Sequence, residues 1–334
     1  MKGLWVTAKN ELAILEMDEP VLGEYDALVE VYGCGICNST DLKIIEGRLK
    51  QGTFPILLGH ESSGKVVKTG KGVKHFRTGD TVLRARLYDK DITIPGGSSR
   101  FGGFSEKAVV TDVWARDGTD YGSFPHPQQV VPEYVDPAYA ACMIMLKENL
   151  FCIRATGVRP GHSLAVVGTG PAAQAMVMWA KILGISPVAV FGRRPKWEER
   201  FLRLGADLYV TDEDFPEEAF SLVRGGGFDR TIEAVGSNDA LARCLKITGP
   251  EGKINLYGMP PDDAPYAEDY TDDPRVFRTR IEEGAVHDEL VSYIEEGRVD
   301  LEKWVSAVID WNEYGSAFDY VRNEKPTKVI LSLK

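Results

Sequence analysis

Long apolar runs are missing from this chain. No stretch approaches the roughly 20 residues needed to cross a bilayer, so no membrane partner is expected. The N-terminal MKGLWVTAKNELAILEMDEP lacks the apolar core of a signal peptide, which makes the cytoplasm the expected location. Cysteine is scarce: five in 334 residues, an odd and sparse set that argues against a disulfide scaffold. No cysteine lies between Cys37 and Cys142, so the Cys34/Cys37 pair has no nearby second pair with which to hold a structural zinc. Basic tracts are also missing. Lys plus Arg number 39 against 50 Asp plus Glu, a net charge of −11, and nucleic acid is not an expected partner.

What is present suits a globular α/β protein of two domains, with 43% hydrophobic and 27% charged residues. The first 130 residues read as short strands, such as Ala27–Val31 and Gly64–Val67, separated by Gly- and Pro-containing turns. Thr111 to Gln129 reads as a polar surface excursion, and Asp136-Pro137 as the start of a long helix. From Ser163 the pattern alternates: strand Leu164–Val167, helix Ala172–Leu183, strand Val188–Phe191, helix Trp197–Leu204, then strands Phe228–Glu233 and Lys253–Leu256. Such βαβ units imply a parallel sheet. The acidic stretch Asp262 to Asp273 reads as a loop, and the tail as a helix over His287–Glu296 and a strand over Lys328–Leu333.

Two constellations carry chemistry. Gly168-Thr169-Gly170-Pro171-Ala172-Ala173 follows an apolar strand and opens a helix, the context of a dinucleotide turn. Gly168 permits the turn, Gly170 lets a pyrophosphate approach the backbone, and Ala173 allows close helix packing. The carboxylate that would bind the ribose of NAD after the second strand is missing. Gly192-Arg193-Arg194 stands there instead, and a guanidinium suits a 2′-phosphate, so NADP is expected over NAD. In the first lobe, Cys37 within GICNSTD and His60-Glu61 within GHE supply the thiolate, imidazole and carboxylate that a catalytic zinc uses.

These motifs resemble the zinc-dependent medium-chain alcohol dehydrogenase family, which includes sorbitol and threonine dehydrogenases. The likeness extends through Val73, Phe76, Gly79-Asp80 and Val82, Gly102-Gly103-Phe104-Ser105-Glu106, the cofactor turn, Phe228-Asp229 to Gly236, Gly252 to Gly258 and the last strand. It implies a GroES-like β-barrel catalytic domain over 1–147, completed by 285–334, and a Rossmann cofactor domain over 148–284. By resemblance Cys37 and His60 would hold one catalytic zinc, with Glu61 a ligand or a carboxylate exchanging with water, and Asp41 would orient His60. Ser39 would relay the substrate's proton. The motif is one residue longer than the family's usual Cys-x-Ser/Thr-Asp, so Thr40 is the alternative.

The family's remaining ligand position falls on Ile144, which cannot bind metal; Glu148 is the better-placed substitute by helical spacing, Cys142 the other candidate, and a polar contact to nicotinamide or substrate is an equal reading of Glu148. The resemblance implies zinc-dependent transfer of hydride between NADP(H) and a secondary alcohol or ketone. Arg86, Tyr88, Asp89 and Ser98, in the segment Arg84 to Arg100, suggest a polyol or sugar-derived alcohol. A homodimer or homotetramer is expected. The competing readings are a zinc-free NADPH-dependent quinone or enoyl reductase, and a nicotinamide-binding redox sensor without turnover.

Overall fold

A computed structural model describes residues 1–87, 93–99, 101–211, 219, 221–223 and 225–334. The chain forms two compact units, Met1–Lys147 with Glu282–Lys334, and Glu148–Ile281. The return to the first unit comes three residues before the expected Ala285.

In the first unit the strand Asp26–Gly35 is central. Its side chains alternate between buried and half-buried positions, the period-two pattern of a strand with one face on the core, and Ala27, Val29 and Val31 pack there with Trp114. Its antiparallel partners are Glu61–Thr69, Lys107–Thr111 and, at its end, Val329–Ser332. The register sets Gly35 opposite both Glu61 and Ile330. Two strands far apart in sequence therefore finish beside Cys37, with Lys328 immediately before the closing strand. A second mixed sheet runs in the order Glu11–Glu16, Lys2–Ala8, Ile56–Leu57, Gly97–Ser98, Thr93–Ile94.

The second unit is built on a parallel sheet ordered Leu208–Val210, Val188–Phe191, Leu164–Val167, Phe228–Glu233, Thr248–Leu256, Val276–Phe277. In chain order this is 3-2-1-4-5-6, the doubly wound arrangement whose strand order reverses beside Leu164–Val167. The strands Leu164–Val167 and Val188–Phe191 are wholly buried, as expected of strands inside a two-faced sheet.

Three local expectations need correction. The helix expected from Asp136-Pro137 begins at Ala141, because Asp136 Oδ1 accepts from the amides of Ala138 and Tyr139 and stabilises a turn first. Thr111 to Gln129 is not a pure surface excursion. Asp112 caps the helix Val113–Asp117 and also accepts from His75, and Trp114 is fully buried among Tyr121, Phe124 and His126. The acidic segment contains the short helix Glu268–Thr271. No helix among the described residues is long and apolar enough to cross a membrane.

Candidate active site

Cys37, His60 and Glu61 each offer one ligand atom, and these atoms lie within 4.8 Å of one another in the first unit. The backbone makes room for them. Gly59, at φ +93, passes so close to Phe104 that a Cβ would sit 2.3 Å from its amide nitrogen, and a Cβ on Gly35 would sit 2.7 Å from Glu61 Oε2. Asp41, fully buried at the start of the helix Thr40–Ile45, ties the two loops together. Its Oδ2 accepts from the Cys37 amide at 2.8 Å, and its Oδ1 faces His60 Nδ1 at 3.4 Å. That contact turns Nε2 of His60 toward the cluster, 3.9 Å from Glu61.

Burial opposes charge on His60, but Asp41 and Cys37 outweigh it and hold the imidazole well above its ordinary value. Arg84, buried at φ +57, braces the same loop: Nη1 donates to the His60 carbonyl at 2.8 Å and Nε to Glu283 Oε1 at 2.9 Å. Lys328 is equally buried and donates to Glu61 Oε2 at 2.5 Å and to the Ile36 carbonyl at 3.2 Å. Burial works against its charge too; Glu61 and Cys37 outweigh it and raise the ammonium above its usual range.

Thr40 lines the recess beside His60, whereas Ser39 Oγ accepts a hydrogen bond from Lys43 Nζ at 2.9 Å. Cys142 is buried in the helix Ala141–Ala155, its thiol pushed up by that burial. Glu148, half-buried in the same helix, opens the second unit and is not one of the three clustered donors. Of the polar groups expected to face substrate, Ser98 is buried and accepts from the Thr53 amide, Arg86 is half-buried, and Tyr88 and Asp89 lie outside the described residues.

In the second unit Gly168 takes φ +135 and lies against the turn after Phe228–Glu233, where its Cβ would meet the Ala234 carbonyl at 3.2 Å. Gly170 is the N-cap of the helix Pro171–Ile182, with Pro171 in its first turn and open space where a Cβ would project. Thr169 and Ala172 are half-buried and Ala173 is buried against the sheet. A bare helix N-terminus under open space fits a pyrophosphate.

Arg193 and Arg194 are exposed beyond Gly192. The place of a side chain at Gly192 is filled by Tyr209, whose Oη lies 2.1 Å from the Cβ position and donates to the Arg194 carbonyl at 2.8 Å. Burial pushes this phenol up to about 12, so it remains a donor. Arg243 Nη1 donates to the Gly192 carbonyl at 3.4 Å. Sequence reasoning passed over Lys328, Arg84, Tyr209 and Arg243. Only the lysine ahead of an apolar closing strand was a visible cue, and its partner stands 267 positions away.

Cysteine, histidine and glutamate donors grouped in a unit of mixed sheets, together with a second unit built on a doubly wound parallel sheet with a glycine turn opening a helix, are the features of an oxidoreductase of the alcohol dehydrogenase type. The chain belongs to the zinc-dependent medium-chain dehydrogenase family: residues 23–116 match the alcohol dehydrogenase GroES-like domain, and residues 171–281 the zinc-binding dehydrogenase family. It is 27% identical to L-threonine 3-dehydrogenase of Bacillus velezensis, over 97% of each chain. It is 29% identical to NADP-dependent isopropanol dehydrogenase of Thermoanaerobacter brockii, over 77% of this chain and 76% of the relative. The alcohol dehydrogenase of Thermus sp. ATN1 shares the fold, with a TM-score of 0.81 at 24% identity over 100% of both chains.

Proposed function

We propose that this alcohol oxidoreductase is zinc-dependent and prefers NADP(H), interconverting a secondary alcohol and its ketone. The observation that carries the reading is the convergence of Cys37, His60 and Glu61 within 4.8 Å, with Asp41 on the far nitrogen of His60. Thiolate, imidazole and carboxylate are a donor set that zinc takes, so the residues fit the ion. When bound, zinc supplies Lewis acidity toward an alcohol or carbonyl oxygen, and the nicotinamide supplies or accepts the hydride.

The chain's own residues do the rest. Asp41 holds His60 in the tautomer that leaves Nε2 free to ligate. Lys328 shares Glu61, so this carboxylate has a second resting place when it is not a ligand. Thr40 Oγ1 can accept the substrate hydroxyl's proton while passing on its own, since a hydroxyl donates and accepts at once. Ser39 is the weaker candidate because Lys43 already donates to it.

In the second unit, the N-terminal amides of Pro171–Ile182 suit the pyrophosphate, and Arg193 and Arg194 suit a 2′-phosphate. With Tyr209 in the carboxylate's place, NAD loses its ribose partner. The NADP-dependent name of the Thermoanaerobacter relative agrees with this preference.

The test is zinc quantitation beside hydride turnover, with propan-2-ol as the alcohol and either dinucleotide as acceptor. The expected result is about one zinc per chain and turnover favouring NADP. Metal-free protein that still turns over would favour the zinc-free reductase, and zinc-loaded protein with no turnover of alcohol or ketone would overturn the reading.

A further inference from the structure

The recess beside His60 is lined by the apolar side chains of Ile44, Leu57 and Phe101, and by two uncharged polar ones, Thr40 and Gln51. It encloses about 270 Å³ of atom-free space, part of it continuous with solvent. Gln51 is only 8% exposed, and its Oε1 is buried with no hydrogen-bond partner among the described residues. Buried carbonyl oxygens are almost always paired, because an unpaired one forfeits its hydration without return. Asp41 Oδ1, the recess's other unpaired oxygen, faces His60, so among the described residues of the recess the Gln51 carboxamide is left without a partner to explain it. The segment is anchored from behind: the Thr53 amide donates to Ser98 Oγ at 3.0 Å, and Gly52 takes φ +115.

We propose that Gln51 is a specificity-determining residue whose Oε1 accepts a hydrogen bond from a second hydroxyl of the substrate, so that diols and larger polyols are taken in preference to simple alcohols. This rests on the alcohol oxidoreductase reading above. The physical basis is the asymmetry of buried polar groups. A hydroxyl delivered to Oε1 satisfies it, whereas a simple alcohol presents a methyl group and leaves the acceptor unpaired. The aliphatic wall of Ile44 and Leu57 takes the carbon skeleton in either case, so the hydroxyl alone separates the two substrates.

The test compares propane-1,2-diol with propan-2-ol, which differ only in that hydroxyl. Specificity constants and, by calorimetry, dissociation constants are measured on zinc-loaded wild type, Gln51→Met and Gln51→Glu. Wild type is expected to favour the diol by about 10- to 100-fold. Gln51→Met, of similar shape but without an acceptor, is expected to bring the ratio to about one, and Gln51→Glu, which keeps the acceptor, to preserve it.

Reading a ratio within each protein removes any general loss of activity from the comparison. A wild-type ratio near one overturns the assignment whether or not the variants fold, as does a Gln51→Met protein that keeps the preference. If zinc-loaded wild type turns over neither alcohol, the alcohol oxidoreductase reading fails and this inference falls with it; turnover of both at equal efficiency sinks the Gln51 assignment alone.

Discussion

Lys328 Nζ lies 2.5 Å from Glu61 Oε2, with each side chain 2% exposed, at the point where the strands Glu61–Thr69 and Val329–Ser332 both reach the end of Asp26–Gly35. A fully buried ion pair is weak evidence of net stabilisation, but removing one partner strands the other charge.

Lys328→Met is therefore expected to lower the stability of the zinc-free protein by about 3–5 kcal/mol, and Lys328→Met with Glu61→Gln to recover most of it. Denaturant unfolding of the single and double variants checks this. Additive losses would show that the two groups do not depend on each other.

Thr40 and Ser39 divide the proton-relay question between them. Thr40→Ala is expected to lower kcat by about 10²–10⁴-fold with zinc retained, and Ser39→Ala to change it far less, because Ser39 is engaged by Lys43. Steady-state kinetics on the two single variants decides it, and a larger loss in Ser39→Ala would reverse the assignment.

His287 gives the first unit an acid limit. Burial, then the positive charge of Lys147, lowers its imidazole to about 3, against an opposing hydrogen bond to the Val130 carbonyl at 2.9 Å. The folded state keeps this histidine neutral while the unfolded chain protonates near 6.5. Below that pH the unfolded state binds the extra proton, so stability is full above 6.5 and falls as pH drops toward 3. The loss from this group is about 2 kcal/mol by pH 5. His287→Gln is expected to flatten the fall in melting temperature between pH 7 and 5, and a variant as acid-sensitive as wild type would contradict the account.

Much of the architecture was legible because it is written locally. The strand-glycine-helix run through Gly168 to Ala173 carries its own conformational requirements, and the alternation after Ser163 spells out the parallel sheet. The cluster residues Cys37, His60 and Glu61 stand in short motifs with distinctive flanks. What could not be read is what the topology alone brings together: Lys328 against Glu61, Arg84 against Glu283, and Tyr209 in the space beside Gly192. Trp114 was hidden for another reason. Its polar, turn-rich neighbours look like surface, yet Asp112 satisfies the amides around it and lets the ring bury.

Tyr209 also changes how cofactor preference is best probed. Gly192→Asp would drive its Cβ into the Tyr209 hydroxyl, so it disturbs the strand end as well as the charge. Arg193→Ala with Arg194→Ala removes the guanidiniums alone. A charge-assisted contact to phosphate is worth about 1.5–3 kcal/mol, so the double variant is expected to lose an NADP preference of about 10- to 100-fold. Specificity constants for both dinucleotides check this, and a preference that survives in the variant would exclude the arginines as its source.

The central claim is that hydride transfer depends on a metal held by Cys37, His60 and Glu61. The direct measurement strips the protein with a chelator, adds zinc back stepwise, and follows NADP reduction by a secondary alcohol at each step. The account predicts that activity vanishes on stripping and returns linearly up to about one equivalent of zinc, with no return in Cys37→Ser. Full activity in stripped protein whose zinc content is shown to be nil would contradict it.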